Sequence, residues 1–145
     1  EAKQVECAEK DQKYTPVLVK ISPDQNESQI KFMVEQIKQL GFDGIICTNT
    51  TVDRPSELKS VEELTSEMGG LSGKPLLEKA NETLRLVRLF AGENFPIIAV
   101  GGIIDKKDAA VKFSLGADLI QLYTGFVLKG NRLIQQINKQ IKGAN

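Results

Sequence analysis

Five stretches of the sequence place side chains or glycines where they can do chemistry. Lys20 stands inside an apolar run, Val17 to Ile21, just before Ser22-Pro23-Asp24. A cation there has no packing purpose unless its ammonium faces a polar site; a snorkelling surface lysine is the plainer alternative. Thr48, Asn49, Thr50 and Thr51 set hydroxyls and one amide directly after a second apolar run. Such mixed donors and acceptors suit a planar polar ligand, and strand-end capping accounts for them equally well. Gly69-Gly70-Leu71-Ser72-Gly73-Lys74-Pro75 surrounds one serine with glycines. Its main-chain amides can close over an anionic or sugar-like group, or it is merely a flexible loop. Gly101-Gly102 follow a third apolar run, and Tyr123-Thr124-Gly125 open onto the last helical segment. Either pair alone is an ordinary turn, but in this order the two suit a phosphate held by backbone N–H groups.

Other chemistries are excluded by what is missing. There is no histidine, so Ser/His and Cys/His dyads are absent, and the cysteines, Cys7 and Cys47, lie 40 positions apart. Without a CxxC that spacing fits neither a zinc site nor a disulfide framework, so no metal site is expected and both cysteines read as reduced thiols. Cys47 reads as a small buried filler without a catalytic role. Asp53-Arg54 and Glu67 read as local charge pairs rather than acid–base catalysts. Lys and Arg number 19 against 19 Asp and Glu, with no basic tract, which removes the electrostatic footing of a nucleic-acid binder. No apolar run approaches the roughly 20 residues of a transmembrane helix, and Glu1-Ala2-Lys3-Gln4 does not open a signal peptide.

The elements that must position these residues follow from the pattern. Apolar runs over Val17 to Ile21, Gly44 to Thr48, Pro96 to Val100 and Leu119 to Leu122 read as strands buried on both faces. Helical stripes lie between and after them. Ile30, Met33, Val34, Ile37 and Leu40 follow the N-cap candidate Asn26 and stop at Gly41. Leu84, Val87, Phe90 and Ala91 stop at Gly92. A third stripe with Ala109, Ala110 and Phe113 runs from Asp105 to Gly116, and Leu133, Ile134, Ile137 and Ile141 form the last. Residues 50 to 80 show neither period and are expected to be a functional loop. Residues 1 to 13 are assigned to the end of a preceding helix or linker. Strand–helix alternation predicts βα units around a parallel sheet. A closed (β/α)8 TIM barrel takes about 250 residues, so the 145 residues are expected to form about its C-terminal half, one domain over 1–145. In such barrels the site gathers at the carboxyl ends of the strands, where Lys20 to Asp24, Thr48 to Thr51, Gly101-Gly102 and Tyr123 to Gly125 are expected.

Taken together, KISPD (Lys20 to Asp24), TNTT (Thr48 to Thr51), GGLSGKPL (Gly69 to Leu76), PIIAVGGI (Pro96 to Ile103) and GADLIQLYTG (Gly116 to Gly125) resemble the C-terminal half of dihydroorotate dehydrogenases. The likeness is to class 2, the quinone-dependent, membrane-associated flavoenzymes of pyrimidine biosynthesis. It implies FMN as cofactor, with Lys20, Thr48, Ser72, Gly73, Gly101, Gly102, Tyr123 and Thr124 around it. It also implies that Asn49 and Thr50 touch the dihydroorotate or orotate ring. The family's serine base would lie upstream of residue 1, so no catalytic residue is expected in this segment, and these residues alone are expected to be inactive. The resemblance further implies quinone as acceptor, the N-terminal half of the barrel as partner, and peripheral membrane contact through N-terminal helices. That surface would be the cytoplasmic membrane in a bacterium or the mitochondrial inner membrane in a eukaryote. Two alternatives stand beside it: a non-catalytic phosphate-binding half barrel, and another phosphate-binding barrel enzyme resembling inosine-monophosphate dehydrogenase, which would need a loop cysteine.

Overall fold

The computed structural model describes residue 6, residues 14–56, residue 58 and residues 66–142. The expectations for residues 1 to 13, Cys7 among them, lie outside the described residues apart from Glu6. Strand β1 (Leu18–Ile21) is followed by helix α1 (Glu27–Gln39), β2 (Gly44–Cys47), a 3-10 turn (Lys74–Leu76), α2 (Leu77–Ala91), β3 (Ile97–Ala99) and α3 (Lys106–Ser114). Then come β4 (Leu119–Ile120), α4 (Thr124–Lys129) and α5 (Asn131–Lys142). All neighbouring strands pair in parallel, in the order β1-β2-β3-β4.

Local chemistry fixes the helix boundaries. Asn26 accepts the Gln29 N–H at 2.9 Å while the Gln29 side chain accepts the Asn26 N–H at 2.9 Å, a reciprocal cap on α1. Asp105 caps α3 in the same way, accepting from the N–H groups of Lys107 and Asp108. Each such cap contributes about 1 kcal/mol. Gly41 (φ 72°) and Gly116 (φ 94°) then turn the chain out of α1 and α3 in the left-handed region. Beyond the C-terminal end of α2, the Arg88 guanidinium donates to the carbonyls of Gly92, Glu93, Phe95 and Gly116 and pairs with Asp118 at 2.9 Å. Asp118 in turn accepts the Ile97 N–H at 2.8 Å, so one side chain ties α2 to the starts of β3 and β4.

Three boundaries differ from the sequence reading. Helix α2 starts at Leu77 and not near Leu84, because Leu77 and Ala80 continue the stripe of Leu84, Val87 and Ala91 into the same buried face. The span 50–80 is therefore helical at its end. Tyr123 to Gly125 open onto a separate short helix, α4, which stops at Gly130 (φ 57°) before α5 begins. Strand β4 covers only Leu119–Ile120, although the Gln121 N–H still reaches the Ala99 carbonyl at 2.8 Å.

The register separates the two faces of the sheet. Val19, Ile45 and Ile97 align across it, as do Ile21, Cys47, Ala99 and Ile120. These rows pack under α1 and α2 with Val34, Leu84 and Val87, forming the main core. Between them runs a row on the opposite face, Lys20, Ile46, Ile98 and Leu119, none of which belongs to the buried core. Leu119 is accordingly 61% exposed, while Ile45 and Ile97 are fully buried. A second cluster, Ile103, Ala109, Leu133 and Ile137, seats α3 and α5 beside β4.

Candidate functional site

At the carboxyl ends of all four strands lies an open cavity of about 430 Å³. That volume falls within the range of small-molecule sites, a few hundred Å³ upward. Lys20, Thr48, Asn49, Thr50, Ser72, Gly73, Gly101, Gly102, Tyr123 and Thr124 all line it. The residues singled out in the sequence, drawn from positions 20 to 124, are thus brought together in one place. Leu76, Ile103, Gln121 and Leu122, which sequence reasoning did not nominate, complete its walls.

Backbone bonding holds each strand end in place. The Asn49 N–H donates to the Ile21 carbonyl at 2.8 Å, and the Thr48 N–H donates to the Val100 carbonyl at 2.9 Å. Thr48 is buried and turns its hydroxyl onto the Asn49 carbonyl at 2.8 Å. Across the cavity, Ser72 Oγ and Thr124 Oγ1 share a hydrogen bond of 3.0 Å, joining the glycine-rich strap to the start of α4. Lys20 is the only charged lining residue, and its ammonium has no partner among the described residues.

The glycines are dictated by contact. A Cβ on Gly102 (φ 79°) would stand 2.3 Å from Leu77 Cα and 2.7 Å from Leu77 N, so the loop backs directly onto the first turn of α2. A Cβ on Gly125 would lie 2.1 Å from the Ile103 carbonyl oxygen. With side chains excluded, the main-chain amides of Gly101, Gly102, Tyr123 and Thr124 line the cavity and donate to no acceptor among the described residues. Free amides, the hydroxyls of Thr48, Thr50, Ser72, Tyr123 and Thr124, one ammonium and, among the described residues, no carboxylate make a cavity disposed toward an anion. That donor set fits a phosphorylated planar cofactor such as FMN: amides for the phosphate, Lys20 for an electron-rich ring edge.

Cys47 lies in β2, fully buried, and not in a loop. Burial pushes its thiol up to about 12, against the opposing pull of Lys112 and Arg88. It is no nucleophile near neutrality, so Cys47 is not the loop cysteine that the inosine-monophosphate-dehydrogenase-like alternative would need. Asp53 pairs with Lys79, and Arg54 donates to the carbonyls of Thr51, Glu67 and Gly69, so both serve the loop's shape. Sequence reasoning missed Lys79 as a partner; a lysine on a helix carries no local sign of a contact made 26 residues away.

A family model described as dihydroorotate dehydrogenase matches residues 2–144. The chain belongs to the dihydroorotate dehydrogenase family. It is 43% identical over 127 residues to the dihydroorotate dehydrogenase (quinone) of Verminephrobacter eiseniae, covering 88% of this chain and 35% of that protein. It is 44% identical over 139 residues to the enzyme of the same description from Neisseria meningitidis (strain FAM18), covering 96% and 41%. Among solved structures, the dihydroorotate dehydrogenase of Eimeria tenella in complex with ferulenol superposes with a TM-score of 0.83 at 31% identity, over 89% of this chain and 34% of that one. Strands β1 to β4 with their helices are thus part of a dihydroorotate dehydrogenase barrel. The chain spans roughly two fifths of the length of the curated relatives it matches.

Proposed function

We propose that this chain supplies the FMN half-site and part of the pyrimidine site of a quinone-dependent dihydroorotate dehydrogenase. The supporting observation is the convergence of four loops on one carboxylate-free cavity that combines unengaged amides with a single unpaired cation. In this reading the amides of Gly101, Gly102, Tyr123 and Thr124 hold the phosphate, with Ser72 and Gly73 beside them. Thr48 packs against the ring, and Lys20 favours negative charge at its edge. Asn49 and Thr50 offer the amide and hydroxyl that recognise dihydroorotate or orotate. Bound FMN supplies a two-electron acceptor for the substrate and a donor to quinone. Proton removal falls to a serine outside these residues, so the 145 residues alone do not oxidise dihydroorotate.

Membrane association belongs to the same proposal. Among the described residues no helix is long and apolar enough to cross a bilayer, and contact with the quinone-bearing surface is assigned to N-terminal helices of the barrel's other half. The test is a flavin titration. FMN should bind at least about tenfold tighter than riboflavin, since the phosphate would be worth more than 1.4 kcal/mol. Equal affinity for the two would overturn the reading.

A further inference from the structure

Just behind the cavity rim, and lining none of it, lies a charged cluster built from three separate segments. The Asp24 carboxylate accepts from Lys79 Nζ at 2.6 Å and from the Val52 N–H at 2.9 Å, and it also accepts the Thr51 hydroxyl. Lys79 pairs in addition with Asp53 and lies 3.3 Å from Thr51 Oγ1, which accepts the Asp53 N–H at 3.0 Å. Burial alone would raise the Asp24 carboxyl, but Lys79, Thr51 and Val52 hold it below the usual carboxylate range. Burial likewise opposes the charge on Lys79, and Asp24 and Asp53 outweigh it.

The cluster grips the residue next to the pyrimidine-facing pair. Thr51 is buried, and its N–H and carbonyl pair with Leu71 of the strap at 3.2 and 2.7 Å. Thr50 is pressed against Gly70, where a Cβ would stand 1.9 Å from Thr50 Oγ1, while the Thr50 N–H donates to Asn49 Oδ1 at 3.0 Å. Asp24 itself stands four residues past Lys20, midway along the loop leaving β1. One carboxylate therefore ties the strand end bearing the cavity's cation to the strand end bearing Asn49 and Thr50, with Lys79 reaching in from α2.

We propose that Asp24, Thr51 and Lys79 form a positioning device that sets Asn49 and Thr50 against the pyrimidine ring, so that these contacts govern substrate affinity independently of cofactor binding. This rests on the functional reading given above. Amides that would hold the phosphate sit on the other side of the cavity, after β3 and before α4, and none of the three residues touches them.

The experiment compares orotate affinity, KM for dihydroorotate and FMN content in the holoenzyme carrying these residues. Asp24→Asn and Lys79→Met should each weaken orotate binding and raise KM about 10- to 100-fold while FMN content stays within twofold. Their combination should cost little more than either alone, because both break one network, and Lys79→Arg should restore most of the loss. Unchanged orotate affinity in Asp24→Asn, or loss of FMN in step with orotate, would overturn the positioning role and leave the functional reading standing. An unaltered holoenzyme that binds neither FMN nor orotate would overturn both.

Discussion

Among the regions of described residues that hold polar groups without partners, two are not equivalent. In the cavity the amides of Gly101, Tyr123 and Thr124 and the ammonium of Lys20 belong to residues that solvent reaches, with the amide of buried Gly102 beside them. Between α2 and α3, the ammonium of Lys112 and Oδ1 of Asn81 are buried and unpaired among the described residues. Asn81 stands seven residues before Arg88, on the face of α2 whose guanidinium crosses to Gly116 and Asp118. Lys112 is one turn beyond Asp108, which pairs with Lys74 at 2.6 Å. Water satisfies the first set until a ligand replaces it, so waiting costs little. The second set loses hydration with nothing in return, a cost of about 1–3 kcal/mol for a neutral group and more for a charge. An unpaired donor thus signals a binding site only where solvent can reach it.

The largest effect that would test this contrast comes from closing the cavity's backbone. Gly102→Ala drives a methyl into Leu77 from a left-handed φ and should destabilise by about 3–5 kcal/mol in a urea titration. A loss below about 1 kcal/mol would show that the loop is free to move and that the cradle is not pre-formed. Next is Lys112→Met, which should stabilise the protein at pH 7 by about 1–3 kcal/mol. Burial first, opposed by Cys47, Asp108 and Glu78, pushes the Lys112 amine from 10.5 down to about 8. Between those values the unfolded chain binds the extra proton, so stability of the unaltered protein rises from pH 8 toward pH 10.5 and the advantage of methionine shrinks there. An advantage that stays constant over that range would mean that the ammonium is paired or hydrated after all.

Lys20→Ala sharpens the comparison from the solvated side. Its effect on stability should stay within about 0.5 kcal/mol, while FMN affinity falls about tenfold in the flavin titration. A stability loss as large as that at Gly102 would make Lys20 a structural residue. Smallest of all, Cys47 should give no reaction with a thiol reagent at pH 8 until the protein is unfolded, since its thiol is buried and pushed up to about 12. Labelling of Cys47 in native protein carrying Cys7→Ser, on the mixing timescale, would contradict the closed packing under β2.

Much of this arrangement is written locally. Asn26, Asp105, Gly41, Gly92 and Gly116 mark helix ends by cap and turn chemistry that acts over a few residues, and each marks an observed end. The cavity lining was legible because βα order places strand ends together regardless of intervening length. What stayed hidden depends on distant neighbours. Lys79 reads like any helix-surface lysine until the Asp24 loop folds over it, and Lys112 reads as solvated until α2 covers it. The onset of α2 was missed because Gly73 and Pro75 suggest a loop, although a 3-10 turn carries them straight into the helix.

Arg88 has one more consequence. Carbonyls from the exit of α2 and from the turn after α3 converge on a single flat, permanently charged fork, so that two crossovers share one fastener. An ammonium in its place would have fewer donors and no planar spread, leaving several oxygens to find other partners. Natural variation at position 88 should accordingly be narrow, even though Arg88 lines none of the cavity.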